Sequence, residues 1–160
     1  MNLSQNEFIS LCKKSLRGKG HHWGVCEDLS NALLALAINQ FPAQNILLEV
    51  LDTENSNIDR ILTVIDNQVY RISGQIDGDF YDPILILGLI SVDRNCNEPS
   101  LEVSLENERF ILTKELIIGD RFYSKKKVNT ISFSKNTNRK VTKQKTLTRI
   151  SIDDTTLKKI

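Results

Sequence analysis

The chain has little of what most metal and thiol sites are made from. Its 160 residues include only two histidines, three cysteines, one tryptophan and one methionine. Two histidines fall short of a three-histidine zinc centre. Cys12, Cys26 and Cys96 are odd in number and scattered, so they show neither a disulfide framework nor a C-x-x-C zinc pattern. No run reaches the roughly 18 apolar residues that cross a bilayer. The opening MNLSQNEF lacks a basic stretch followed by an apolar one, so no secretory signal is expected. These absences point to a cytoplasmic chain with reduced thiols, no membrane partner and no cofactor.

What is present fits one globular domain. The chain is 40% hydrophobic and 26% charged, enough for a real core at this length. The net charge of +1 hides an asymmetry. Residues 1–120 carry 9 Lys and Arg against 18 Asp and Glu, whereas residues 121–149 carry 10 and no acid. Such a split implies a charge contact within or between subunits, or a basic surface for a polyanion.

Ser4 to Glu7 is an S-x-x-E capping box, and Phe8, Ile9, Leu11 and Cys12 follow it at helical spacing. The pattern predicts a helix to about Leu16, ended by Gly18 and Gly20. A second helix is expected from about Trp23 to Asn39, with Val25, Leu29, Ala32, Leu33, Leu36 and Ala37 on one side. Pro42 ends the pair, and a third short helix is expected over 43–51. Residues 53–57 read as a polar loop. The period then falls to two: Ile61 to Ile65 and Val69 to Ile72 are expected as strands around an Asp66-Asn67 turn, with a loop over 74–79. The apolar run from Ile84 to Val92 suits a buried strand or a buried helix, and periodicity does not decide. Beyond Pro99, LEVSLE and RFILT flank Glu106-Asn107 as a hairpin, a second hairpin turns over 135–139, and Asp153 caps the start of a last helix. The expectation is α+β: an N-terminal helical hairpin followed by antiparallel strands in a single domain. Residues 1–52 are expected to be mainly helical, 58–152 mainly β, and 153–160 the start of a C-terminal helix.

The run RGKGHHWGVCED, Arg17 to Asp28, concentrates the unusual residues. Gly18, Gly20 and Gly24 come near a dinucleotide fingerprint, but that motif needs a strand before it, and a helix precedes this one. The free amides of the second helix, with Arg17, Lys19, His21 and His22 nearby, suit an anion or carboxylate. The plainer reading is a glycine corner between two helices. His22 and Cys26 share a helical face near Glu27, Asp28 and His21, yet a zinc site wants three or four ligands. Cys26 beside histidine at a helix start suits a reactive thiol, although Val25 and Leu29 place it toward the core. Trp23 is expected as a core anchor. Glu27 and Asp28 favour the helix dipole, and either serves as a general base only where a pocket raises its pKa.

This stretch resembles the opening of an uncharacterised bacterial family, domain of unknown function 3726. The likeness is carried by Leu3, Glu7, Gly18, Gly20, Trp23, Gly24 and Glu27, and by Pro83, Ile84, Gly88 and Asp93 in a second segment. It implies that the places of His21, His22 and Cys26 are usually apolar or small, which weakens metal and thiol chemistry. It also implies a segment beyond IDDTTLKKI that has no counterpart here, and it brings no established activity.

The expected function is a small-molecule-binding or accessory protein of bacterial metabolism. Its ligand site is Arg17, Gly18, Gly20, His22, Trp23, Gly24 and Glu27, and its partners are a small anionic ligand and a second copy or another protein. One alternative is an enzyme using Glu27 or Asp28 as base and Arg17 as anion clamp. Another is nucleic-acid binding through the basic hairpin over 125–149, against which the alternation of Ile131 and Phe133 argues for a core face.

Overall fold

A computed structural model of the chain describes residues 1–68, 73–77, 82–92, 100–113, 117–119, 130–135 and 149–159. Its first helix, α1 (Gln5–Gly18), opens on the expected box. The Ser4 amide donates to Glu7 Oε2 at 2.7 Å, and the Glu7 amide donates back to Ser4 Oγ at 3.3 Å. The two bonds satisfy two helix-end donors reciprocally. Phe8, Cys12 and Leu16 recur every four residues and form the buried stripe of α1.

Two turns of one kind separate the first three helices. At the end of α1 the Gly20 amide donates to the Arg17 carbonyl at 2.9 Å, and the His21 amide reaches back to the Leu16 carbonyl at 3.1 Å. This is a Schellman motif, with Gly20 in the left-handed conformation at φ 96°. The second helix, α2 (Trp23–Ile38), closes the same way. Gln40 donates to Ala37 and Phe41 to Leu36, both at 3.0 Å, but Gln40 takes the left-handed position (φ 66°) without being glycine. The third helix, α3 (Ala43–Asp52), follows at once. The helical hairpin and the third helix stand where the sequence predicts them.

The next segment corrects the expectation. Asn55–Gln68 is a helix, α4, so Ile61 to Ile65 is not a strand, Asp66-Asn67 is not a turn, and the polar loop shrinks to Thr53 and Glu54. Starting the pattern at Ile58 explains why. Ile58 and Ile65 are buried, with Ile61 and Leu62 half-buried between them, which is the i, i+3, i+4, i+7 spacing of a helix. Val69 to Ile72 lie outside the described residues. Part of the expected loop is instead a strand, β2 (Ser73–Asp77).

The ambiguous apolar run is helical. In α5 (Pro83–Val92) every residue from Pro83 to Ile90 is buried, so the helix is apolar all round, as a central helix must be. Asp82 caps it, accepting from the amides of Ile84 at 2.8 Å and Leu85 at 3.3 Å, and proline is at home in the first turn. Gly88 lets α5 lie close to α2: a β-carbon there would stand 2.9 Å from the Ala32 carbonyl oxygen and 2.9 Å from Leu36 Cγ. Among the described residues of 58–152, the helices α4 and α5 therefore stand alongside the strands.

The strands come after. β3 (Leu101–Leu105) and β4 (Glu108–Leu112) form the expected hairpin around Glu106-Asn107, with Val103 opposite Phe110. Together with β5 (Ile117–Ile118) and β6 (Thr130–Lys135) they complete an antiparallel sheet in the order β2-β6-β3-β4-β5. A separate pair joins β1 (Asn2–Ser4) to β7 (Arg149–Ser151). Most of the basic hairpin, 136–148 and 125–129, lies outside the described residues, as does Cys96. Asp153 caps the last short helix, α6 (Asp154–Leu157), accepting from the Thr156 amide at 2.8 Å.

One continuous hydrophobic cluster holds these parts together. It runs from Phe8, Leu29 and Leu33 through Ile86 and Leu87 to Val103, Phe110 and Ile131. The fold is therefore an α+β single domain, in which helices lead and antiparallel strands follow. The Phe41 and Phe110 rings meet at 6.3 Å between centroids, where the α2–α3 corner touches the sheet. No described helix is long and apolar enough to cross a membrane.

Candidate functional site

The Schellman turn sets the geometry of the α1–α2 corner. It brings the last turn of α1 alongside the first turn of α2 and leaves Trp23 outside. Trp23 is 63% exposed, which corrects the expectation of a core anchor. Two cations of α1 stand at its ring, Lys13 with Nζ 6.0 Å from the centroid and Arg17 with Cζ at 5.8 Å. They are four residues apart, so α1 presents both on one face. The arrangement falls in the range of cation–π attraction.

The two cations differ in their other partners. Lys13 Nζ donates to Glu27 Oε1 at 3.2 Å, tying α1 to α2. Arg17 Nη1 donates to the His21 carbonyl at 3.3 Å. Among the described residues, no acid pairs with Arg17.

The two histidines part company. His21 is buried, 3% exposed, and its Nε2 has no hydrogen-bond partner among the described residues. Burial holds its imidazole below the usual histidine range, against the pull of Asp59, so it adds no charge to the corner. His22 is exposed and occupies the N-cap of α2 without a side-chain capping bond. The first amides of α2 therefore have no intrahelical acceptor and no cap.

Cys26 is 1% exposed and its thiol faces the His21 carbonyl at 3.6 Å. Burial pushes its pKa up, the wrong direction for a nucleophile. Cys12 is pushed up to about 12 by the same cause. Among the described residues no three His, Cys, Asp or Glu side chains are grouped as metal ligands.

The three glycines have different reasons to be there. Gly20 is required by its positive φ. Gly18 and Gly24 have ordinary φ, and a β-carbon at either would meet nothing within 4 Å among the described residues. Neither the backbone nor the packing of the described residues asks for them. They leave bare main chain on both sides of Trp23.

Glu27 and Asp28 face different neighbours. Glu27 is taken by Lys13. Asp28 lines a cleft of about 250 Å³ with Leu62, Ile65 and Asp66 of α4 and Leu89 and Val92 of α5. Burial, then the nearby Asp66 and Glu27, hold the Asp28 carboxyl above the usual carboxylate range. Arg17 and Glu27 are not among the residues that line this cleft, so the base and clamp expected of one active site do not meet there.

Sequence reasoning missed Lys13, whose spacing from Arg17 was the available signal. Asp66, expected in a turn, stands instead on α4 beside Asp28 in the cleft.

Residues 3–79 fit the family described as Protein of unknown function (DUF3726). That span holds the whole corner and Asp66, and stops short of the Pro83–Asp93 segment. No curated protein and no solved structure matches the chain. Over residues 3–79, from β1 to β2 and just under half of its length, the chain is similar to the DUF3726 family of proteins of unknown function.

Proposed function

We propose that the chain is a cytoplasmic ligand-binding or accessory protein of bacterial small-molecule metabolism, with its site at the α1–α2 corner. The ligand is a small carboxylate or phosphate. It sits on the uncapped amides of the first turn of α2, where the helix dipole favours negative charge, and Arg17 supplies a forked donor beside it. The observation that carries this reading is the exposed Trp23 ring set against Arg17, a cation that no described acid neutralises. The bare glycines support it. Both stand at helix ends, where the described residues give no packing reason for glycine and the bare backbone admits a close approach.

Trp23 is the only tryptophan, so its fluorescence reports on this corner alone. Titration with inorganic phosphate and with citrate is expected to give a saturable change with at least one of them. Arg17→Ala is expected to weaken it about tenfold, the scale of one charge-assisted hydrogen bond, with the circular dichroism spectrum unchanged. A flat titration with both anions into the millimolar range overturns the reading.

A further inference from the structure

The Asp28 cleft has a composition of its own. Its floor is Ile65 and Leu89, both buried, and its walls are Leu62 and Val92. Val92 is 41% exposed, one of the few large apolar side chains left open to water among the described residues. Two carboxylates, Asp28 from α2 and Asp66 from α4, stand at the rim, and both are exposed. Partial burial first, and then the charge of Asp66, hold the Asp28 carboxyl above the usual carboxylate range. No cation pairs with either among the described residues. Two carboxylates of like charge thus stand over apolar surface with no described ion pair to hold them there.

We propose that this cleft binds a small organic cation, a primary ammonium carried on a short apolar body. Each part of the cleft has its counterpart in such a ligand. The ammonium offers three donors, enough for both carboxylates, and its charge removes their mutual repulsion. The apolar body covers Ile65, Leu89, Leu62 and Val92. The size selects the class. Pockets for drug-sized ligands run from roughly 300 Å³ upward, so a cleft of about 250 Å³ fits a small amine. A macromolecule would reach it only by one inserted lysine. The site is independent of the corner: it opens between α2, α4 and α5, and Arg17, Lys13 and Trp23 do not line it.

The test uses cyclohexylammonium, with cyclohexanol as a neutral body of similar size and ammonium chloride as the bare charge. Amide chemical shifts of the full chain are followed by heteronuclear NMR. Saturable shifts confined to 28–32, 62–66 and 86–92 are expected with cyclohexylammonium, at least about tenfold tighter than with either control. Asp28→Asn and Asp66→Asn should each weaken binding about tenfold while leaving the remaining spectrum in place. Both side chains are exposed at the rim, so these variants are expected to fold. Arg17→Ala should leave amine binding unchanged, which separates this site from the corner. Equal response to cyclohexanol, no saturable response, or saturation by a lysine-rich peptide but not by the free amine overturns the proposal.

Discussion

Asn39 Oδ1 accepts a hydrogen bond from the Ile117 amide at 3.1 Å, across 78 residues of chain. The same side chain uses its Nδ2 to reach the Ala35 carbonyl at 2.8 Å, so it is pinned to the end of α2 while it holds β5. Asn39 is 4% exposed. Asn39→Ala therefore strands a buried amide rather than returning it to water. The expected loss is about 1–3 kcal/mol, read as a lower urea midpoint with an unchanged slope. A midpoint within error of wild type would show that the helix and the sheet are not joined at this point.

Two glycines in helices should answer alanine in opposite ways. At Gly88 a β-carbon meets the Ala32 carbonyl oxygen and Leu36 at 2.9 Å, and α2 and α5 must part to admit it. Gly88→Ala is expected to destabilise by about 1–3 kcal/mol, although alanine is the better helix former by about 1 kcal/mol. Gly24→Ala meets open space, so propensity alone acts and stability should stay level or rise by up to about 1 kcal/mol. At the same time it should blunt the anion response at Trp23. A thermal melt and the fluorescence titration on the same two variants check all three statements.

Asp82 makes stability depend on acidity. Burial pushes its carboxyl up to about 6, and Glu49 nearby adds to the rise, against the opposing hydrogen bonds from the α5 amides. The unfolded chain releases that proton near 3.9. Between these values the folded state holds more protons than the unfolded one, so stability is greatest below about pH 4 from this group and falls as pH rises toward 6. Asparagine keeps the capping oxygen and has no proton to lose. Asp82→Asn is thus expected to flatten the fall and to gain about 1–3 kcal/mol at pH 7. Equal stability of wild type and variant at pH 7, from urea melts at pH 4, 5, 6 and 7, would refute it.

The readability of this chain varies by the kind of signal. Helix α1 was legible at both ends, because Ser4 and Glu7 cap it through local bonds and Gly20 ends it through local backbone geometry. Helix α4 was misread because the run from Ile61 to Ile65 fits either period when taken alone, and only Ile58 breaks the tie. Helix α5 was undecidable by period because it is buried on every side. Asp82-Pro83, a cap followed by a first-turn proline, was the local signal that decides it. In the corner, Arg17 and Glu27 were legible as charges, whereas the exposure of Trp23 was not, since residue type favours the core and tertiary placement overrides it. The meeting of Asp28 with Asp66 had no signal in spacing, because it depends on how two distant helices pack.

The all-round burial of α5 bears on how the chain is made. Synthesis delivers the N-terminal part first, so α1 to α4 leave the ribosome before Pro83 to Val92. When α5 emerges it has α2 and α4 to lie against, while β3 and β4 are still to come. Until α5 is seated on α2 and α4, the nascent chain carries ten nearly continuous apolar residues in the open. Transiently exposed apolar surface of this kind is what makes a half-made chain prone to aggregate.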